Sequence, residues 1–157
     1  FTFDGQPLFV VGNHFNSKGG DGYLFGQVQP PTFSTEHRRV LQAGVVRNFV
    51  EEILAVDPDA YVIVAGDLND FAFSAPLREL SGPDCSLVNL AAELLPESEI
   101  YSYIYEGNSQ VLDHILVSPG LRADTNPTVR YVHRYSEYLY EERHSDHDPV
   151  IARFEFD

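Results

Sequence analysis

The stretch YVIVAGDLND (Tyr61–Asp70) decides how the rest of the chain is read. Its opening is a continuous apolar run with two valines and an isoleucine, the pattern of a strand buried on both faces. Asp67-Leu68-Asn69-Asp70 then begins a loop at the C-terminal end of that strand. Taken alone, Asp67 after Gly66 is an ordinary turn residue, because Asp and Asn bond their own backbone there. Asp67 and Asn69 are two apart, so if the strand continues both project to the same side.

Upstream, Ser34 or Thr35 caps a helix with Glu36 in its first turn. Leu41, Val45, Phe49 and Ile53 recur every four residues, and Val46, Val50 and Leu54 widen the stripe, which predicts a face packed on a sheet. The helix should stop by Val56-Asp57, since Pro58 disfavours helix in the residue before it. SKGGDGYLFGQVQPPTF (Ser17–Phe33) is a long loop rich in Gly and Pro. FTFDGQPLFVVGNHF (Phe1–Phe15) reads as two strands around an Asp4-Gly5 turn.

Downstream, a short helix is expected near Ala75–Leu80, and CSLVNLAAELL (Cys85–Leu95) is either another helix or a packed loop. YSYIY (Tyr101–Tyr105) and VLDHILV (Val111–Val117) read as strands joined through Glu106-Gly107-Asn108, and PVIARFEF (Pro149–Phe156) as the last strand. Strands alternating with one strong helix, several of them sequential neighbours, predict an α/β or α+β fold with a mixed sheet. No internal repeat and no linker divides residues 1–157.

The chain has 157 residues, a single domain's length and enough to bury a core. No apolar run approaches the ~20 residues of a membrane span. The one cysteine, Cys85, excludes an internal disulfide framework and reads as a small buried hydrophobe. The chain opens on Phe1 and contains no Met, so it is expected to be processed or a piece of something longer. The formal charge is −14 and Lys18 is the only lysine, a surface that repels nucleic acid at long range. That argues against a DNA-binding module. It argues less against an enzyme, which can recruit a phosphate through a bound cation.

Polar residues gather at four strand edges: Asn13 and His14; Asp67, Asn69 and Asp70; Asp113 and His114; Asp146 and His147. Each alone has a bland reading as a turn or strand-end residue, but four such clusters favour one shared site. Asp113 is the hardest to dismiss, since a carboxylate inside an apolar strand needs a partner. Adjacent Asp146 and His147 must point in different directions. One can hold a cation while the other faces a phosphate, with Asp113 behind the imidazole to fix its tautomer. Carboxylates with few cysteines suit a hard ion such as Mg²⁺. Tyr131, Tyr135, Tyr138 and Tyr140, with Arg130 and Arg134, read first as half-buried rings with hydroxyls outward and second as a stacking platform.

Five motifs carry a family resemblance: NHFNSKGG (Asn13–Gly20), RRVLQAGVVRNFV (Arg38–Val50), VIVAGDLND (Val62–Asp70), YSYIYEGNSQVLDHILVSP (Tyr101–Pro119) and SDHDPV (Ser145–Val150). In this order they resemble the endonuclease/exonuclease/phosphatase (DNase I-like) superfamily, the first and fourth being most similar to its bacterial extracellular nucleases. The resemblance implies a four-layer α/β sandwich with mixed β-sheets, of which residues 1–157 would be the C-terminal half. It implies metal-dependent attack of water on a phosphodiester of DNA or RNA.

By motif, His147 would be the imidazole at the scissile phosphate and Asp113 its orienting carboxylate. Asp67 would position or deprotonate the water, Asn69 would hold a phosphate oxygen or that water, and His14 would contact phosphate. Asp146 would contribute to the metal site, and Asn13, Asn16 and Lys18 would touch substrate. The implied cofactor is Mg²⁺, with Mn²⁺ or Ca²⁺ as alternatives. His114 and Asp148 are left as exposed polar residues.

The family's first half also carries an Asn and a metal-binding Glu, yet no glutamate here precedes Glu36. The implied partners are therefore the missing N-terminal half and a nucleic acid or other phosphodiester substrate. The sheet face meant for that half would be apolar and exposed. The nuclease branch implies a secreted, periplasmic or cell-surface location. A phosphatase or phospholipid phosphodiesterase of the same superfamily and a non-catalytic nuclease-like binding module are the alternatives. Calcineurin-like phosphoesterases fit poorly, because GNH here precedes GDLND and no Asp-x-His opens the chain.

Overall fold

A computed structural model of the chain describes residues 1–3, 5–82 and 87–156. Its central sheet has the order β1-β2-β3-β7-β4. The strands are β1 (Thr2–Phe3), β2 (Gln6–His14), β3 (Tyr61–Asp67), β4 (Val88–Asn89) and β7 (Asp113–Val117). β2 and β3 are parallel and β7 runs antiparallel to β3, so the sheet is mixed. A parallel pair needs a long crossover, and α1 (Glu36–Val56) supplies it. Two hairpins flank the sheet: β5 (Tyr103–Tyr105) with β6 (Asn108–Gln110), and β8 (Thr128–Tyr131) with β9 (Val150–Arg153). Short helices α2 (Ala75–Ser81), α3 (Leu90–Leu94) and α4 (Pro119–Ala123) complete the layers.

The alternation of β3 sends its side chains into two cores. Val62 and Val64 pack with Ala43 and Val50 of α1 and Leu77 and Leu80 of α2. Ile63 and Ala65 face the other way, toward Leu121 of α4, Val129 of β8 and Val150 of β9. This second face is the one expected to await a further layer, and it is incompletely closed. Ile63 and Ala65 are half-buried and Val10 of β2 is 48% exposed.

Three expectations need correction. The helix stripe is rotated: Leu41, Val45 and Phe49 are 67%, 69% and 50% exposed, while Arg39, Ala43 and Val50 are buried. The turn of the helix follows from burying the Arg39 guanidinium, which brings small Ala43 rather than Leu41 onto the sheet. YSYIY and VLDHILV are not a paired hairpin, since β5 pairs with β6 and β7 enters the central sheet. Tyr131 does not turn its hydroxyl outward; it is buried and donates to the Asp113 carbonyl at 2.8 Å. Of CSLVNLAAELL, the described part forms β4 and α3, whereas Cys85, like Asp4 of the first turn, lies outside the described residues.

Gly66 of β3 pairs with Asn13 of the parallel β2, with φ +136°, and a Cβ there would lie 1.9 Å from the Asn13 carbonyl oxygen. No side chain fits that space. Gly66→Ala should destabilise the protein by more than about 2 kcal/mol in chemical denaturation. On α1, Val45→Gln should stay within about 0.5 kcal/mol of wild type. Val50→Ala should cost about 2 kcal/mol, and equal costs at the two positions would contradict the rotated helix.

Candidate active site

Strand register assembles the site. His14 at the end of β2 lies opposite Asp67 of β3, and Asp67 lies opposite Asp113 of β7. Three polar side chains thus meet at one end of three adjacent strands. His147 arrives from the loop before β9, fastened by an isolated bridge to Tyr103 and by the Asp148 N–H donating to the Ser102 carbonyl at 2.7 Å. Its Nδ1 lies 2.6 Å from Asp113 Oδ2, and the Tyr103 ring packs 4.9 Å from its own. Asn69 is in the left-handed region at φ 52°. There its backbone N–H and Nδ2 both donate to the Asp67 carboxylate, at 2.9 and 3.0 Å. His14 Nε2 is 3.4 Å from Asp67 Oδ2.

The electrostatics divide the roles. The hydrogen bond to Asp113 raises the His147 pKa above the usual histidine range against the opposing effect of burial, with the charges of Asp67 and Asp146 adding to the rise. Burial pushes the Asp67 carboxyl up, and the nearby Asp113 charge adds to this, while the Asn69 N–H works against it. The result is an imidazole that readily holds a proton beside a carboxylate that readily accepts one. With Nδ1 occupied by Asp113, His147 keeps Nε2 for a ligand.

Asp67, Asp113 and His147 each offer a ligand atom within 4.8 Å of the others. That spacing suits one small cation with oxygen ligands near 2.1 Å, and two carboxylates are hard donors. The Asp113 oxygen on His147 is already engaged and both Asp67 oxygens accept from Asn69, so the second Asp113 oxygen is the better donor. Asp146 lies outside this group: it is exposed and acts on the site through its charge on His147 and Tyr103.

The remaining sequence candidates engage other partners. Asn13 Nδ2 donates to the Val11 carbonyl at 2.9 Å. Asn16 bonds Gln42 and the Ser17 carbonyl. Lys18 Nζ lies 3.4 Å from Asp70 and 4.6 Å over the Phe71 ring. None of these side chains hydrogen-bonds or ion-pairs with Asp67, Asp113 or His147.

Two residues that the sequence left on the surface are structural. His114 is fully buried, with Nε2 2.8 Å from the Asp70 carbonyl and Nδ1 3.0 Å from Asn89 Nδ2. Burial lowers its pKa and keeps the ring neutral, so Nε2–H donates to Asp70 and Nδ1 accepts from Asn89. Asp148 is also buried, and its carboxylate accepts from the N–H groups of Arg134, Tyr135 and Ser136 at 2.9, 2.7 and 3.1 Å and from the Ser136 hydroxyl. Burial alone would raise its pKa, but these donors outweigh it and leave the carboxyl below the usual range. Both lie within quoted motifs, His114 beside Asp113 and Asp148 beside His147, and that adjacency is the signal the sequence carried for them.

Residues 2–151 match the family described as Endonuclease/Exonuclease/phosphatase. No curated protein sequence matches the chain. Among solved structures, a truncated Caenorhabditis elegans TDP2 superposes with TM-score 0.69 at 18% identity, covering 99% of this chain and 57% of that one. The Bacteroides thetaiotaomicron mannosyl-6-phosphatase Bt3783 gives 0.63 at 17% identity, with 98% and 53% covered. A Staphylococcus aureus beta toxin gives 0.61 at 16% identity, with 96% and 54% covered. The chain therefore has the DNase I-like α/β fold with mixed sheets and spans a little over half the length of these structures.

The raised pKa of His147 has a testable sign. Its ion pair with Asp113 contributes fully below the unfolded-state histidine pKa of about 6.5 and is lost as pH rises through the higher folded value. In metal-free buffer the melting temperature of wild type should fall more than that of His147→Gln between pH 6 and about 9. Parallel profiles would show that the pair is not formed.

Proposed function

Because this chain belongs to the Endonuclease/Exonuclease/phosphatase family, we propose that its site is part of a metal-dependent phosphodiester hydrolase acting on DNA or RNA. The observation that carries this reading is the 2.6 Å contact of His147 with Asp113 beside the Asp67–Asn69 pair. Asp67 Oδ2 is the acceptor for the proton of the attacking water, made a better base by its raised pKa. Asn69 holds the Asp67 carboxylate in place through two hydrogen bonds. The His147 imidazolium, kept charged by Asp113, donates from Nε2 to a phosphate oxygen as negative charge builds there. Water oxygen bonds to phosphorus as the ester P–O bond breaks. Mg²⁺, Mn²⁺ or Ca²⁺ held at the second Asp113 oxygen, with Asp146 nearby, would supply positive charge for a non-bridging phosphate oxygen.

The rest of the domain is the proposed partner. Only Gln6 and Pro7 of β2 pair with β1, so the outer edge from Phe9 to His14 has no strand partner among the described residues. Phe9 and Val10 are exposed along it. An open edge beside exposed apolar side chains supports completion by a further segment of the domain, which would also supply additional metal ligands. The likeness of NHFNSKGG to bacterial extracellular nucleases supports a secreted or cell-surface protein. The −14 charge supports a second reading, a phosphatase or phospholipid phosphodiesterase with a small or neutral substrate.

Supercoiled-plasmid nicking by the complete domain, with Mg²⁺ or Mn²⁺ and then with EDTA, tests the proposal. Metal-dependent nicking that drops by at least about 100-fold in His147→Ala and Asp113→Ala is the expected result. Near wild-type turnover in either variant would overturn the assignment. Hydrolysis of a phosphomonoester but not of plasmid would favour the second reading.

A further inference from the structure

Helix α1 is apolar on two sides. Ala43 and Val50 pack on the sheet, while Leu41, Val45, Phe49 and Val56 are exposed on the outer side. At about 100° per residue, Arg38, Leu41, Val45, Phe49, Glu52 and Val56 fall within one arc of about 80°. A helix with apolar residues on its outer side as well is ordinarily covered there too. α2 packs along a flank of α1, where Arg47 Nη1 meets Glu79 at 2.6 Å, and leaves this stripe open. The stripe also lies away from the incompletely closed second face of the sheet, because α1 packs on the first. A further layer on that second face would be on the other side of the sheet.

The order of residues along the stripe specifies a partner. Arg38 and Glu52 are each seven residues from Val45, and Leu41 and Phe49 are each four from it. Turned end for end about Val45, the stripe therefore complements itself. Arg38 meets Glu52, Leu41 meets Phe49, and Val45 meets Val45. Arg38 and Glu52 are both exposed. A parallel pairing would instead set Arg38 against Arg38 and Glu52 against Glu52. Antiparallel helices also lay each N-terminus beside the other's C-terminus, so their dipoles agree. One patch serving both partners is the requirement for a closed two-fold dimer.

We propose that the outer stripe of α1 is a self-association surface, on which a second copy of this chain docks antiparallel about Val45. The apolar contacts supply the affinity, and the two Arg38–Glu52 pairs set direction and register. From Arg38 to Val56 the seam is about 27 Å long. One helix pair is at the small end of specific interfaces, and each copy carries a charge of −14. The dimer is therefore weak, with a Kd of about 10–100 μM. This association does not depend on the hydrolase reading.

Sedimentation equilibrium of the complete domain from about 5 to 300 μM spans that range. Circular dichroism confirms that each variant folds. Wild type should move from monomer toward dimer with concentration, and Val45→Gln should weaken this at least about fivefold. Arg38→Glu and Glu52→Arg should each weaken it by a similar factor. The sign for Glu52→Arg separates the register from bulk charge, since a less negative chain would otherwise associate more readily. Mixing these two variants should restore association, because every contact between positions 38 and 52 then joins a Glu to an Arg. The double variant should associate with itself for the same reason. A monomer at every concentration would mean that the stripe is bare or covered by another part of the domain, and overturns the proposal. So does association that Val45→Gln leaves within twofold of wild type, a Glu52→Arg protein that dimerises better than wild type, or a mixture that fails to associate.

Discussion

The buried guanidinium of Arg39 is the constraint around which this structure is arranged. A charge with no exposed surface is tolerated only when it is neutralised and its donors are satisfied. Here Asp70 takes Nε at 2.8 Å and Asp21 takes Nη2 at 3.0 Å. The Thr35 hydroxyl and the carbonyls of Asn16 and Ser17 take Nη1. One side chain on α1 therefore ties down both ends of the long glycine-rich loop and the segment that follows Asn69. It also accounts for the rotation of α1. Its buried face must carry the cation and the small residues around it, which turns Leu41, Val45 and Phe49 outward.

Rigidity passes from that pair to the site by short steps. Asp70, held by Arg39, also accepts from buried His114 through its carbonyl, and His114 sits beside Asp113 on β7. On the far side, buried Asp148 gathers the turn at 134–136 next to His147. The catalytic candidates are half-buried and their supports are buried. The Asp67 and Asp113 carboxylates repel each other, and the His147 imidazolium offsets only part of that repulsion. Such a site persists only where the surrounding loops are fixed by other means.

The surfaces divide in the same spirit. One face of the sheet is closed by α1 and α2, while the other is only partly covered by α4 and the β8–β9 hairpin. The open outer edge of β2 borders that less complete side, and His14 stands at its end. A strand edge unpaired among the described residues thus lies beside the site rather than remote from it.

Much of the fold was legible because its signals are local. The apolar run at Val62–Ala65 marked the central strand, the extent of α1 followed from its cap region and Pro58, and the order of the motifs identified the family. Asp67, Asn69, Asp113 and His147 stood out because polar residues at the ends of apolar strands are costly unless they share a task. Other features depended on contacts between residues far apart in the chain. Which face of α1 turns inward was settled by a cation meeting Asp21 and Asp70, 18 and 31 residues away. Burial of His114 and Asp148 could not be read from their neighbours, because it depends on Asn89 and on the loop at 133–136. The sequence by itself determined the strands β2, β3, β7 and β9, the crossover helix and the chemistry at the strand ends. Only the tertiary structure decided which polar groups are catalytic candidates and which are buried supports, because burial and partner geometry are properties of the packed chain.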